Sequence, residues 1–205
     1  KIMCSKQLSV QEKYSRLLNT LKEYIRARTL SLMLVHPDGK EIVVQAATNE
    51  KIIGLRDMYS GTYKRMSHGR LDENVSEQIV EGHNLTIQTM VCKDRIKMCF
   101  AVMEIEAWFL AMYNIFPKID NRLTLACISQ SLGIDLKSID PQKTFFKPSE
   151  QLQAIFGLCN RQYDKSEHEV NSITSRMSIT DFEDTRENGR CNYLDDFYRE
   201  IMAYA

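Results

Sequence analysis

No run in the sequence approaches the roughly 20 apolar residues that a bilayer-spanning helix needs, so nothing in it reads as a membrane segment. The opening stretch, Lys-Ile-Met-Cys-Ser-Lys-Gln, lacks the apolar core of a secretory signal, and a first residue other than Met reads as a trimmed beginning. An excess of one charge is missing too, with 27 Lys and Arg against 27 Asp and Glu. That excludes a protein that coats nucleic acid through a global basic field, but leaves room for a local basic groove beside an acidic site. The six cysteines are scattered, with no Cys-x-x-Cys pair, and several sit in apolar runs where a free thiol behaves as a small hydrophobe. A reducing, cytoplasmic setting is the economical reading. There is no Walker-type glycine loop, no Gly-x-Ser-x-Gly elbow and no zinc pattern. His36, His68, His83 and His168 are isolated from one another.

What is present is an ordinary globular composition: 205 residues, 43% hydrophobic and 26% charged, enough to bury a real core. Leu17, Leu18, Leu21 and Ile25 predict a helix over about 10–28. Two β-rich runs, 30–35 and 42–47, flank His-Pro-Asp-Gly-Lys, whose Pro37, Asp38 and Gly39 predict a hairpin turn. A short strand over 51–55 leads into Arg56-Asp57-Met58-Tyr59. Residues 60–74 read as a surface loop, 75–81 as a short helix closed by Gly82, and 85–90 as a weakly alternating strand. The nearly continuous apolar run IKMCFAVM, 96–103, predicts a strand covered on both faces. A helix over 104–113 follows, with Ile105, Trp108, Phe109 and Met112 on its apolar stripe. After Pro117 the pattern turns helical, over 122–132 (ended by Gly133), 149–159, 165–177 and 194–202. The expected fold is α/β, with an α/β part over 1–117 and a mostly helical part over 118–205 packed on it as one compact unit.

Three features are candidates for chemistry. Asp57 follows a short apolar strand and so sits at the carboxyl edge of the sheet, where α/β proteins bind ligands and metals. Its bland reading is a cap on the next turn. Glu104 and Glu106 emerge at the same edge after the buried strand. A carboxylate in a first helical turn gains roughly 0.3–1 kcal/mol from the helix dipole, which would account for one of them. Two amid Met103, Ile105, Ala107 and Trp108 suggest a cation, because burying like charges together is costly. On a continuous helix they would project about 200° apart, so only one should face a given metal. Hard carboxylate ligands suit Mg²⁺ or Mn²⁺. Lastly, Lys147-Pro148-Ser149 and Tyr163-Asp164-Lys165 are cationic sites. Folded back over the sheet edge, Lys147 and Lys165 would hold a phosphate; otherwise they are solvated lysines.

The run Phe100-Ala101-Val102-Met103-Glu104-Ile105-Glu106-Ala107-Trp108-Phe109-Leu110-Ala111 resembles the E-I-E-A-W-L-L-A-D signature of Toprim-like proteins from bacterial defence loci, relatives in outline of the OLD-class nucleases. Ile52-Ile53-Gly54-Leu55-Arg56-Asp57 looks like the strand with that fold's first metal aspartate. Lys147-Pro148-Ser149 and Tyr163-Asp164-Lys165-Ser166 are similar to its later K-P-s and Y-d-K-s elements. The resemblance covers about 51–205. It implies a Toprim-like sheet flanked by helices and a Mg²⁺- or Mn²⁺-dependent nuclease of an antiviral system. Asp57, Glu106 and Glu104 would be the metal ligands, Lys165 a further catalytic residue, nucleic acid the substrate and an ATPase the partner, with homo-oligomers left open. A degenerate interaction or sensor subunit is the alternative. The usual glutamate in a Glu-Gly context has no counterpart in the chain, Asp57-Met58-Tyr59 is not Asp-x-Asp, and Met112 stands where an Asp is common. Glu41 or Asp38 would then be substitutes in the cage.

Overall fold

The structure, a computed structural model, describes residues 52–203 together with the backbone of Leu32–Leu34. It is mixed α/β. Strands β1 (Leu32–Leu34), β2 (Ile52–Asp57) and β3 (Ile96–Ala101) form a parallel sheet in the order β1-β2-β3. Leu32 pairs with Ile53, and β2 and β3 run in register from Ile52 beside Ile96 to Asp57 beside Ala101. The predicted N-terminal helix, the 42–47 arm of the predicted hairpin, and with them Asp38 and Glu41, lie outside the described residues.

β2 and β3 divide their side chains between two cores with the period of two that a strand imposes. Ile53, Leu55, Cys99 and Ala101 enter one apolar cluster, while Ile52, Met98 and Phe100 enter the other. A strand covered on both faces is what the continuous apolar run predicts. Parallel neighbours need a long crossover, and between β2 and β3 it consists of α1 (Gly61–Met66) and α2 (Glu73–Gln88).

That crossover corrects the sequence reading, which made a loop of 60–74, a short helix of 75–81 and a strand of 85–90. Ser60 and Asp72, which look like loop residues, are N-caps: the Ser60 hydroxyl accepts from Tyr63 N at 3.1 Å and the Asp72 carboxylate from Val75 N at 3.3 Å. Tyr63 is fully buried, its hydroxyl donating to Asp72 O at 3.0 Å, and this fixes the turn between the two helices. Gly82 does not end α2; the helix continues for six more residues, to Gln88. Leu85 faces solvent rather than a strand partner.

Beyond β3 the chain is helical: α3 (Glu106–Ala111), α4 (Ile115–Ile119), α5 (Leu125–Leu132), α6 (Pro141–Thr144), α7 (Pro148–Gly157), α8 (Glu167–Thr174), α9 (Ile179–Glu187) and α10 (Asn192–Met202). Five of these match sequence periodicity, and α5 ends as expected at Gly133, whose φ of 69° suits a residue without a side chain. α4, α6 and α9 were not anticipated; the start signals of α6 and α9 are caps rather than apolar stripes. Asp140 accepts from Gln142 N at 2.9 Å, and Asp181 from Ser178 N at 2.7 Å. The cluster that receives Ile53 and Leu55 also holds Trp108, Leu152, Phe197 and Ile201, so residues on both sides of Pro117 share it.

Gly82 is exposed in mid-helix, and a Cβ there would meet nothing within 4 Å. Gly82→Ala should therefore raise unfolding stability by about 0.5–1 kcal/mol. A loss in urea titration would instead indicate that α2 is interrupted at this residue.

Candidate functional site

The carboxyl edge of the sheet is closed by a bend that the helical reading of 104–113 did not anticipate. Past the register position where Asp57 faces Ala101, Met58 N still donates to Ala101 O at 3.0 Å and Tyr59 N to Met103 O at 2.7 Å. Met103 then turns left-handed, at φ 63°, and α3 begins only at Glu106. Glu104 is thus in the bend and not on the helix. The 200° separation does not apply, and both glutamates reach one cation.

That cation is Lys165. Its Nζ lies 2.7 Å from Glu104 Oε1 and 3.6 Å from Glu106 Oε1. Both carboxylates are buried, with side chains 8% and 1% exposed, while the lysine keeps 26% of its surface. Tyr163 donates its hydroxyl to Glu106 Oε1 at 2.8 Å, and Ser149 donates its backbone N–H to Glu104 Oε2 at 3.0 Å. Lys165 is itself left-handed, at φ 61°, immediately before the Ser166 cap of α8. A positive φ at a long side chain is uncommon and persists where the surroundings over-determine it. Both cationic motifs therefore do fold back over the sheet edge. Lys165 is committed to the carboxylates, whereas Lys147 stays exposed and pairs with Glu150 at 2.6 Å.

Asp57 is only partly buried. It lies close enough for its charge to act on both Tyr163 and Lys165. Burial alone would lower the Lys165 pKa, but Glu106, Glu104 and Asp57 outweigh it and the net direction is upward. Burial, followed by Glu106, Glu104 and Asp57, holds the Tyr163 phenol well above its ordinary value. So the four residues singled out in the sequence, Asp57, Glu104, Glu106 and Lys165, share one edge. Tyr163 and the Ser149 amide complete the arrangement. The signal for them was present in Tyr163-Asp164-Lys165 and Lys147-Pro148-Ser149, read there for their lysines alone.

On the other face of β2, Arg56 pairs with His83 of α2, whose ring lies 5.4 Å from that of Phe100. Burial, and then the Arg56 charge, lower the His83 pKa and keep it neutral. A surface groove between α2 and α10, lined by Glu77, Glu81 and Tyr193 among others, shares no residue with the carboxylate site.

Three carboxylates are the hard oxygen donors that Mg²⁺ and Mn²⁺ take, so the donor set fits such an ion in kind. As packed, the ammonium fills the place between Glu104 and Glu106. Among the described residues no group of three or more His, Cys, Asp or Glu side chains is arranged to hold a metal. Among them, too, no helix is long and apolar enough to cross a membrane. Comparison with family models, with curated proteins and with solved structures gives no match.

Removing Lys165 would leave two buried carboxylates uncompensated, which costs on the order of 3–5 kcal/mol for a buried pair. Lys165→Met should be destabilised accordingly at neutral pH; parental stability would mean that something else neutralises Glu104 and Glu106. The raised pKa values also set an alkaline limit. Both contributions are complete below the ordinary values of 10.0 for tyrosine and 10.5 for lysine. They are lost as pH rises beyond those values, because the unfolded chain gives up these protons first. The midpoint of urea unfolding should therefore fall above about pH 10, and less steeply in Tyr163→Phe, which has no phenol to ionise.

Proposed function

We propose that the chain is a Toprim-like nuclease subunit of a bacterial antiviral system, hydrolysing phosphodiester bonds. The observation that supports this reading is the convergence of Asp57, Glu104, Glu106 and Lys165 at the carboxyl edge of a parallel sheet. That edge is where the motifs Leu55-Arg56-Asp57, Glu104-Ile105-Glu106-Ala107-Trp108 and Tyr163-Asp164-Lys165 would have to meet for the resemblance to have chemical content. Asp57, Glu104 and Glu106 would hold Mg²⁺ or Mn²⁺, which when bound supplies a polarised water and charge for the leaving oxygen. The chain's own contribution is orientation. Tyr163 and the Ser149 N–H fix one oxygen each of Glu106 and Glu104, and the Lys165 ammonium, released from them, is placed to pair with a phosphate oxygen.

A second reading has its own supporting observation. Lys165 already pairs with both glutamates, as it would in a subunit that keeps the Toprim-like edge for structure and works by docking on a partner ATPase or by sensing an intruder.

Plasmid and tRNA incubated with the purified chain under Mg²⁺ or Mn²⁺, with and without the product of the adjacent gene, separate the two. The expected result is metal-dependent cleavage that Glu106→Gln reduces at least about 100-fold while leaving the fold intact, since even outer partners of a metal site are worth about 10–100-fold. Undiminished cleavage by Glu106→Gln would overturn the assignment of the site. Absence of cleavage in every combination would favour the interaction subunit.

A further inference from the structure

Beside the carboxylate edge lies a cluster that none of the chemistry above uses. Tyr59 follows β2 by two residues, and its N–H bond to Met103 O fixes it next to the bend that carries Glu104. Phe146, from the segment between α6 and α7, meets it edge to face, with centroids 5.7 Å apart and planes at 68°. Both rings pack one side on the core cluster of Ile52, Met98 and Phe100 and keep part of their surface in solvent. Lys64 of α1 holds its Nζ 3.8 Å from the Tyr59 ring centroid. Lys147, next to Phe146, is exposed and near enough for the Glu104 charge to act on it.

We infer that this surface is a platform for single-stranded nucleic acid: unpaired bases stack on Tyr59 and Phe146 while Lys64 and Lys147 take the flanking phosphates. The inference names the substrate form of the proposed nuclease site and rests on that reading for its connection to cleavage. Two features select the occupant. The Lys64 ammonium rests over the Tyr59 ring, a weak, exposed cation–π contact that a phosphate can draw aside to bare the face. Rings beside cations match a base-and-phosphate chain, in which every base offers a π-face and every linkage a negative charge. Rings that offer themselves for stacking are of no use to bases already stacked and paired within a duplex. Balanced net charge agrees with this, because the two lysines provide a local cationic strip where the whole chain provides none. Lys147 is held by Glu150, but that pair is exposed on both sides, and such pairs open readily to a competing phosphate.

The test is fluorescence anisotropy with labelled oligothymidylate of about 20 nucleotides and a duplex of equal length, in EDTA at about 50 mM salt, so that binding is read without cleavage. The single strand should bind at least about tenfold more tightly than the duplex, and Tyr59→Leu/Phe146→Leu should lose about tenfold or more, since each stacked base is worth that order. Lys64→Gln/Lys147→Gln, which leaves both rings in place, should flatten the slope of log affinity against log salt by about 1.4, the share of two phosphate contacts on a single strand. Equal affinity for duplex and single strand, no binding at about 100 µM protein, or an unchanged affinity in natively folded Tyr59→Leu/Phe146→Leu would each overturn the platform. Cleavage without preference for single strands would overturn the platform and leave the nuclease reading standing. Binding of single strands by a chain that never cleaves would do the reverse.

Discussion

The Lys165 ammonium between the Glu104 and Glu106 carboxylates is the contact on which the rest of the site depends. Two carboxylates side by side in a low-dielectric interior are tolerable only with a cation and enough donors to replace their lost water. The cation and two further donors come from the helical part of the chain: Lys165 and Tyr163 from just before α8, and the Ser149 amide from the first turn of α7. The charge problem at the sheet edge therefore specifies how two later helices seat on it. Apolar contacts alone would fix this less tightly, since a hydrophobic surface is tolerant of sliding whereas a set of short hydrogen bonds is not.

Backbone conformation makes that convergence possible. An uninterrupted helix from Glu104 would have pointed the two glutamates apart and left each with a separate requirement. The left-handed Met103 breaks the periodicity and puts Glu104 in a bend, from which it approaches the same side as Glu106. Lys165 makes the reciprocal turn. Neither is a glycine, so each carries strain, and the network they complete offsets it.

This explains which parts of the fold and site were legible in the sequence. The β3 run and the apolar stripe at Ile105, Trp108, Phe109 and Met112 could be read because burial leaves a period in the residues themselves. Asp57, Glu104, Glu106 and Lys165 could be picked out because carboxylates beside apolar runs, and the motifs they belong to, are visible locally. The paired use of Glu104 and Glu106 could not, because it turns on one dihedral angle at Met103, for which methionine gives no signal. α1, α2, α6 and α9 were missed or misdrawn for a different reason. Ser60, Asp72, Asp140 and Ser178 are equally good loop residues and helix caps, and only the tertiary burial of Tyr63 or Phe182 decides between the two. The Tyr59–Phe146 pair was invisible because it joins segments far apart in the sequence, neither of which carries a periodic pattern.

The members of the network differ in how easily they can move, and this bears on both functional readings. Glu106 is held by Tyr163 within the core, and Glu104 by the amide that opens α7. Lys165 alone reaches the cluster on a long unbranched stem and keeps a quarter of its side chain exposed. A competing cation, or a polyanion that draws the ammonium away, therefore acts on Lys165 first and finds the carboxylates already oriented. In a nuclease that order matters: the displaced ammonium is left beside the substrate phosphate, and the oxygens are prearranged for the ion that succeeds it. In an interaction subunit the same lysine never leaves, and the network is only what seats α7 and α8 on the sheet. The two readings thus share one ground state and differ in whether the exposed end of Lys165 has a second partner.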